Sequence, residues 1–480
     1  MTYLSVILAY LFALIAIGIV KSRKIHTQSD FALAGRALTP WVLVGTMLAS
    51  WIGTGSILGN AGKTYETGMA ALMLPIGSIL GIILLTRIAG KVRSYEKYTV
   101  PEIIGDRYGP VARNLSVIAL VMAYMVIVSY QYNAGGAVLY TILADNTGTS
   151  IISIELATII AAVFIIAYTM LAGLLSVAYT DAANSIIMTL TLIISLPILW
   201  IKAGSWSGME TAFAAMNKSQ HMQFGGVYST MDIINFCLPP FLLVIGDANM
   251  YQRFSASKDV QSARYSTTIL VFAVLFIELL IIASAWVSSS MIPEAEVGKH
   301  VLIYAAHQFL PTFLGAIMLT TIVGIIISTA DSFLLVPANT LIRDIYLNYI
   351  NPQASEKNIV RLSRLLVLML GIIAYIVSIG FSRSAGFFER ALYAYTIYGA
   401  AITPALVAAL FWKGATKEGA VASIICGILV TLFWKELPGL WFWLPTEWYI
   451  SLDEVLPAIS GSLLALICVS YLTQKADPGK

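Results

Sequence analysis

Thirteen stretches of this chain are apolar for long enough to cross a bilayer, and no polar stretch between them is long enough to fold alone. A hydrocarbon core of about 30 Å takes about 20 apolar residues in a helix. The runs lie at approximately 4–20, 38–62, 68–90, 112–140, 151–172, 178–202, 230–250, 264–292, 304–346, 360–381, 387–413, 417–436 and 453–474. The ninth is too long for one straight span and is expected to continue into water. Hydrophobic residues make up 59% of the chain and charged ones only 11%, against about 25% charged in ordinary soluble domains. Lipid is therefore the natural solvent. The longest polar connection lies near 203–229, so any chemistry must sit within the membrane.

The flanking charges give an orientation. With the N-terminus outside and sides alternating, 21 of the 28 Lys and Arg fall on inner loops and the C-terminus, and 7 fall outside. That bias follows the positive-inside rule and requires an odd number of spans. The first run is expected to be a span, not a secretory signal, because Lys21, Arg23 and Lys24 follow it instead of preceding it. A net charge of +3, with dispersed basic residues, argues against a nucleic-acid partner. Cys237, Cys426 and Cys468 lie far apart in apolar runs and are expected to pack in the core. His26, His221, His300 and His307 lie near loops or span ends and make a poor metal set.

Two runs contain residues that weaken helices. The second includes Gly45, Ser50, Gly53, Thr54, Gly55 and Ser56; the seventh includes Pro239, Pro240 and then Gly246-Asp247-Ala248-Asn249. Small residues and prolines also serve plain helix packing. Each interrupted run, however, opens a block of five, spans two to six and seven to eleven. An odd-numbered block used twice enters the membrane from opposite sides, which is the inverted repeat of secondary transporters, with broken helices meeting near the midplane. The expected fold is all-α and integral to the membrane. Residues 1–37 form a peripheral helix and cytoplasmic link, 38–202 the first repeat, 203–229 an external loop, 230–413 the second repeat, and 414–480 two peripheral helices and a tail.

Intramembrane acids are costly and normally mark function. Asp181, Asp247 and Asp331 stand out. Ser328, Asp331 and Ser332 recur at i, i+3 and i+4 and so share a helix face. Hydroxyls, carboxylates and freed carbonyls are hard oxygen ligands suited to a hard cation. Hydrogen bonding between helices, or a proton on a carboxylate, also fits these residues.

Six motifs in order then carry a resemblance. They are Asp30-Phe31 with Ala34-Gly35-Arg36; Thr99-Val100-Pro101-Glu102 leading to Arg107-Tyr108-Gly109; Tyr179-Thr180-Asp181; Gln252-Arg253 with Ala256-Ser257-Lys258-Asp259; Ser328-Thr329-Ala330-Asp331-Ser332 running to Arg343-Asp344-Ile345-Tyr346; and Gly399 to Trp412-Lys413 and Gly419. Across nearly its whole length the chain resembles the sodium:solute symporter family, which implies a leucine-transporter-like core. The resemblance implies a sodium site built from the carbonyls of Ala49, Ile52 and Ile325 and the hydroxyls of Ser328 and Thr329. It also implies a further sodium near Asp181, Ser328, Asp331 and Ser332. The solute is expected beside the ion, among Trp51, Gly53, Thr54, Ser56, Tyr130, Gln131, Asp247, Asn249, Tyr395 and Tyr398. Asp247 stands where sugar-transporting relatives carry a neutral amide, which suits an ammonium group or several hydroxyls.

The expected function is sodium-coupled import of a small polar organic solute by alternating access. The expected setting is the bacterial inner membrane, with the N-terminus outside, the C-terminus cytoplasmic, and a monomer as the working unit. Amino acids or amines are slightly preferred over sugars and monocarboxylates. The alternatives are a proton-coupled carrier of the same fold and a membrane-embedded sensor. An enzyme would need a nucleophile and base or a metal motif such as His-Glu-x-x-His, and none is found.

Overall fold

The protein is described here by a computed structural model covering residues 2–22, 27–144, 150–293, 300–381, 386–434, 449 and 451–474. Among the described residues there is no strand, only isolated bridges such as Leu38 with Ser257. Among the described residues nine helices are long and apolar enough to cross a membrane, and a bent pair makes ten. Each of the thirteen apolar runs contains helix. We number them in order: α1 (Thr2–Ser22), α2a (Pro40–Trp51) and α2b (Gly55–Met73), α3 (Ile76–Ser94), α4 (Pro110–Ile142), α5 (Ile154–Leu171), α6 (Gly173–Lys202), α7a (Thr230–Gly246) and α7b (Ala248–Ala256), α8 (Val260–Ser289), α9 (Thr312–Ile350), α10 (Glu356–Phe381), α11 (Phe387–Phe411), α12 (Lys417–Phe433) and α13 (Val455–Thr473). The three outside the ten are α1, whose apolar part is Tyr3–Ile17, α3, which carries Arg87, Lys91 and Arg93, and the 17-residue α12.

Lipid explains the surface. Phe12, Val163, Phe272, Ile376 and Leu464 are exposed on outer helix faces; in water they would form an aggregating patch, whereas in hydrocarbon they are a normal exterior. Cys468 joins them on the surface instead of packing inside, while Cys237 and Cys426 are half-buried. Burial sorts the helices. Windows of α9 and α11 are 78% buried, but those of α10 and α13 only 33%. Thus α9 is a central post and α10 a rim.

Local chemistry sets the elements' ends. Ser229 accepts from the Asp232 amide at 3.2 Å while Asp232 accepts from the Ser229 amide at 2.8 Å, a reciprocal cap that starts α7a. Between α5 and α6 the chain turns at Gly173, whose φ of +58° suits glycine alone. Two boundaries differ from the sequence expectation. The second span continues to Met73, and the prolines of α7a do not break it: helix runs through Pro239 and Pro240 and stops at Gly246. Helices in membranes tolerate proline where neighbouring groups satisfy the freed carbonyls.

Close approach explains several glycines. A Cβ on Gly77 would lie 1.9 Å from the Cys237 carbonyl oxygen, so α3 packs on α7a backbone to backbone. Gly77→Ala is expected to lower stability by about 1–3 kcal/mol, as overpacking does, seen as a reduced thermal midpoint in detergent. Gly380→Ala, which meets nothing within 4 Å, should not.

The connection from α6 to α7a carries a buried histidine. The carbonyl of His221 accepts from Trp286 Nε1 at 2.9 Å, and burial, helped by Lys218, pushes the imidazole's pKa down to about 4. Unfolded histidine titrates near 6.5, so the neutral ring's contribution is present above that value and is lost as pH falls towards 4. The thermal midpoint is expected to drop between pH 7 and 5 more in the wild type than in His221→Asn.

Candidate functional site

At the α2 break the backbone loses its helical partners. The Gly53 amide bonds to the Trp51 carbonyl at 2.9 Å instead of reaching back to Ala49, and the Ser56 and Ile57 amides both go to the Gly53 carbonyl. The carbonyls of Ala49 and Ile52 are thereby left out of the helical ladder. The two halves meet at 51°. Across from them stands α9: Thr329 Oγ1 donates to the Ala49 carbonyl at 3.3 Å, and a Cβ on Gly53 would sit 3.0 Å from Thr329. A side chain at position 53 would push the break off α9. Ala49, Ile52, Ile325, Ser328 and Thr329 are all buried in this region.

One turn away is a buried charge network. Ser328 Oγ donates to Asp181 Oδ1 at 2.5 Å and Thr46 Oγ1 to Asp181 Oδ2 at 2.6 Å. The cation is supplied by the protein. Arg253, fully buried on α7b, places Nη2 3.5 Å from Asp181 Oδ2 and 2.7 Å from Ser332 Oγ, and Nε 3.1 Å from Thr46 Oγ1. Its Nη1 donates to Asn249 Oδ1 at 2.7 Å. Asp331 accepts a short hydrogen bond from Thr169 on α5. Asp181 and Ser332, expected around a second sodium, therefore meet a guanidinium.

The second break is closed by hydroxyls. Asp247 ends α7a and caps α7b, accepting from the Asn249 amide at 3.1 Å and from Tyr124 Oη at 2.5 Å. Tyr398 Oη donates to the Gly246 carbonyl at 2.8 Å and accepts from the Ala248 amide at 3.1 Å, while Tyr251 Oη donates to the Ile245 carbonyl at 3.0 Å. Asp247, Asn249 and Tyr398, expected as solute contacts, thus hold the break together in this conformation.

Trp51, Ser56 and Tyr395 line a cavity of about 40 Å³ between α2b, α8 and α11. Trp51 and Tyr395 stack with centroids 6.3 Å apart. Thr54 donates a short bond to Gln131 Oε1, leaving Gln131 Nε2 without a partner among the described residues. Buried donors are rarely left so. The same cavity contains Glu278 of α8, which accepts from Ser56 Oγ at 2.6 Å and Asn60 Nδ2 at 3.0 Å.

Arg253 and Glu278 are the residues that sequence reasoning passed over. Arg253 stood inside a recognised motif but beyond the expected end of its span. Glu278 is a fourth acid in an apolar run, and the rule that marked the other three marks it too. Thr46, Tyr124 and Thr169 gave no signal, since a hydroxyl in a membrane helix usually bonds its own preceding turn.

This chain's sequence matches the model of the sodium:solute symporter family over residues 31–427. The chain belongs to that family. A sodium/proline symporter of Haemophilus influenzae is 27% identical, with 98% of this chain and 94% of the relative covered. The osmoregulated proline transporter OpuE of Bacillus subtilis is 25% identical over 97% of this chain and 94% of its own. Among solved structures, a Na+-coupled sialic acid symporter in a substrate-bound outward-open state has a TM-score of 0.80 at 15% identity, covering 99% of both chains. MhsT in complex with L-phenylalanine has a TM-score of 0.55 at 12% identity, covering 90% of this chain and 97% of that one. This member of the family is thus a multi-pass membrane protein of a transporter family that uses sodium as its coupling ion.

The Asp181–Arg253 pair sets a test. Removing one partner of a buried ion pair leaves the other uncompensated, at about 3–5 kcal/mol. Asp181→Asn is expected to fall within that range in thermal or denaturant unfolding, and Lys258→Ala, at an exposed pair, to be nearly silent.

Proposed function

We propose that this symporter imports a small polar organic solute, with an amino or imino acid favoured, by binding one sodium ion between the α2 break and α9. The carrying observation is the freed Ala49 carbonyl facing the Thr329 hydroxyl at 3.3 Å. Ala49, Ile52 and Ile325 supply carbonyl oxygens to the ion, and Ser328 and Thr329 supply hydroxyls. Such donors suit a hard cation. Arg253 supplies the fixed positive charge beside Asp181 and Ser332, which argues for a single mobile ion instead of two. The preference for an amino or imino acid rests on relatives named for proline.

The solute enters the cavity at Trp51 and Tyr395. Gly53, Thr54, Tyr130 and Gln131 complete the proposed solute site, with the Gln131 amide, which lacks a partner among the described residues, as a donor for a solute oxygen. Thirteen spans, a five-plus-five inverted repeat, an outer N-terminus and a cytoplasmic C-terminus complete the proposal, in a bacterial inner membrane and as a monomer. Sodium drives the cycle only by binding one state better than the other.

In proteoliposomes, Ser328→Ala or Thr329→Ala is expected to raise the sodium concentration for half-maximal uptake by roughly tenfold, the worth of one hydrogen bond or ligand contact near a charge. Uptake driven equally by a pH gradient without sodium, and indifferent to both changes, would replace sodium with a proton.

A further inference from the structure

Among the described residues five carboxylates are buried on the spanning helices, and four have work within the fold, Asp344 of α9 accepting from Thr99 Oγ1 at 2.6 Å. Asp181 pairs with Arg253, Asp247 caps α7b, and Asp331 is held by Thr169. Glu278 differs. It is 2% exposed, lines the cavity, and has no ion-pair partner among the described residues. An ionised carboxylate accepts about four hydrogen bonds, and Ser56 and Asn60 provide two. The remaining acceptor sites have no hydrogen-bond donor among the described residues.

The cavity's walls also suit a cation. Trp51, Tyr395, Phe236 and Phe388 are among the residues that line it. At the last two, Lys63 already places its ammonium 5.4 and 5.9 Å from the ring centroids, while its ion pair goes to Glu66 at 2.9 Å. Aromatic faces attract ammonium groups through their quadrupole. About 40 Å³ admits a few waters and no more, so a solute enters as the Trp51–Tyr395 stack parts.

We propose that Glu278 is the charge-reading group of the solute site, its carboxylate receiving a protonated amine of the transported molecule while Ser56 and Asn60 hold it in place. The solute class is then small amino or imino compounds bearing a positive nitrogen. Neutral sugars and amine-free carboxylates are excluded because they leave Glu278 buried without a counter-charge. Asp247, the more obvious candidate in the sequence, is left to its helix cap. This assignment rests on the symport reading above and deepens it.

The test uses the full purified chain in sodium buffer. Thermal shifts are read against the proteinogenic L-amino acids, N-acetyl-L-proline, D-galactose, L-lactate and N-acetylneuraminate, followed by competition for uptake in proteoliposomes. The wild type is expected to respond to an amine-bearing compound and not to its N-acetylated form. Glu278→Gln is expected to weaken that binding by roughly ten- to a hundredfold, the worth of a charge-assisted bond, while stabilisation by sodium alone stays unchanged. Glu278→Asp should keep the discrimination at lower affinity.

Equal response to the acetylated compound, preference for galactose, lactate or N-acetylneuraminate, unaltered affinity in Glu278→Gln, or a loss confined to sodium binding would each overturn the proposal. The acetylated comparison needs only the wild type, so it decides the matter even where a variant fails to fold. Failure of the symport reading looks different: an amine would still bind and Glu278 would still discriminate, but uptake would ignore the sodium gradient.

Discussion

A peptide group in hydrocarbon must find a partner, because water is not there to supply one. The architecture turns on this constraint at the two helix breaks, and it resolves them in opposite ways. At Gly246–Asp247 the protein closes its own gap: hydroxyls of Tyr251 and Tyr398 take up freed carbonyls, and the Asp247 carboxylate caps the next helix. At Ala49–Gly53 the closure is weaker. One hydroxyl, Thr329 at 3.3 Å, reaches the Ala49 carbonyl, and neither the Ser56 nor the Ile57 amide returns to Ile52. Only the second kind of break leaves oxygens with lone pairs to spare for a cation.

Charge is handled with the same asymmetry. A buried guanidinium is expensive unless surrounded by acceptors, and Arg253 has Asp181, Ser332, Thr46 and Asn249 around it. These groups come from α2a, α6, α7b and α9, so both sequence blocks share one ionic knot. The knot also joins the elements beside the proposed ion, since Ser328 donates to Asp181. Moving α7b relative to α2a must therefore rearrange Arg253 or carry its partners along.

Much of the fold was legible because membrane solvent writes a coarse and long signal. Apolar runs located the helices, and glycines with hydroxyls located the α2 break. The α7 break was expected over the stretch from Pro239 to Asn249, and it falls at the Gly246–Asp247 end of it: proline is a strong helix breaker in water, whereas a packed membrane helix absorbs it, and Asp247 acts through a cap that pattern alone does not reveal. The resemblance motifs acquire a physical meaning only in three dimensions. Thr99 caps the helix Val100–Tyr108 and donates to Asp344 Oδ2 at 2.6 Å, while Arg343 approaches Glu102 at 3.7 Å. Residues some 240 positions apart thus clasp α9 to the connection before α4. Pairing of this kind is long-range, so no local periodicity announces it. The carboxylate at Glu278 was visible as a lone acid in α8, but its cavity was not.

The placement of Glu278 and Arg253 has an energetic consequence for coupling. Each elementary charge carried inward gains about 2.3 kcal/mol per 100 mV of membrane potential. A fixed guanidinium on Asp181 contributes no net charge movement through binding and release, whereas a second sodium would. If a zwitterionic solute brings its ammonium to Glu278, the solute adds no net charge either, and on the proposed one-sodium reading the work of accumulation falls on that ion. One ion's electrical term then adds to its concentration gradient, and the solute gradient sustained is bounded by that sum. A carrier built this way gives up the steeper accumulation available from two ions. In exchange, Arg253 is covalently part of the chain and cannot dissociate, so the proposed cycle keeps a fixed cation beside Asp181.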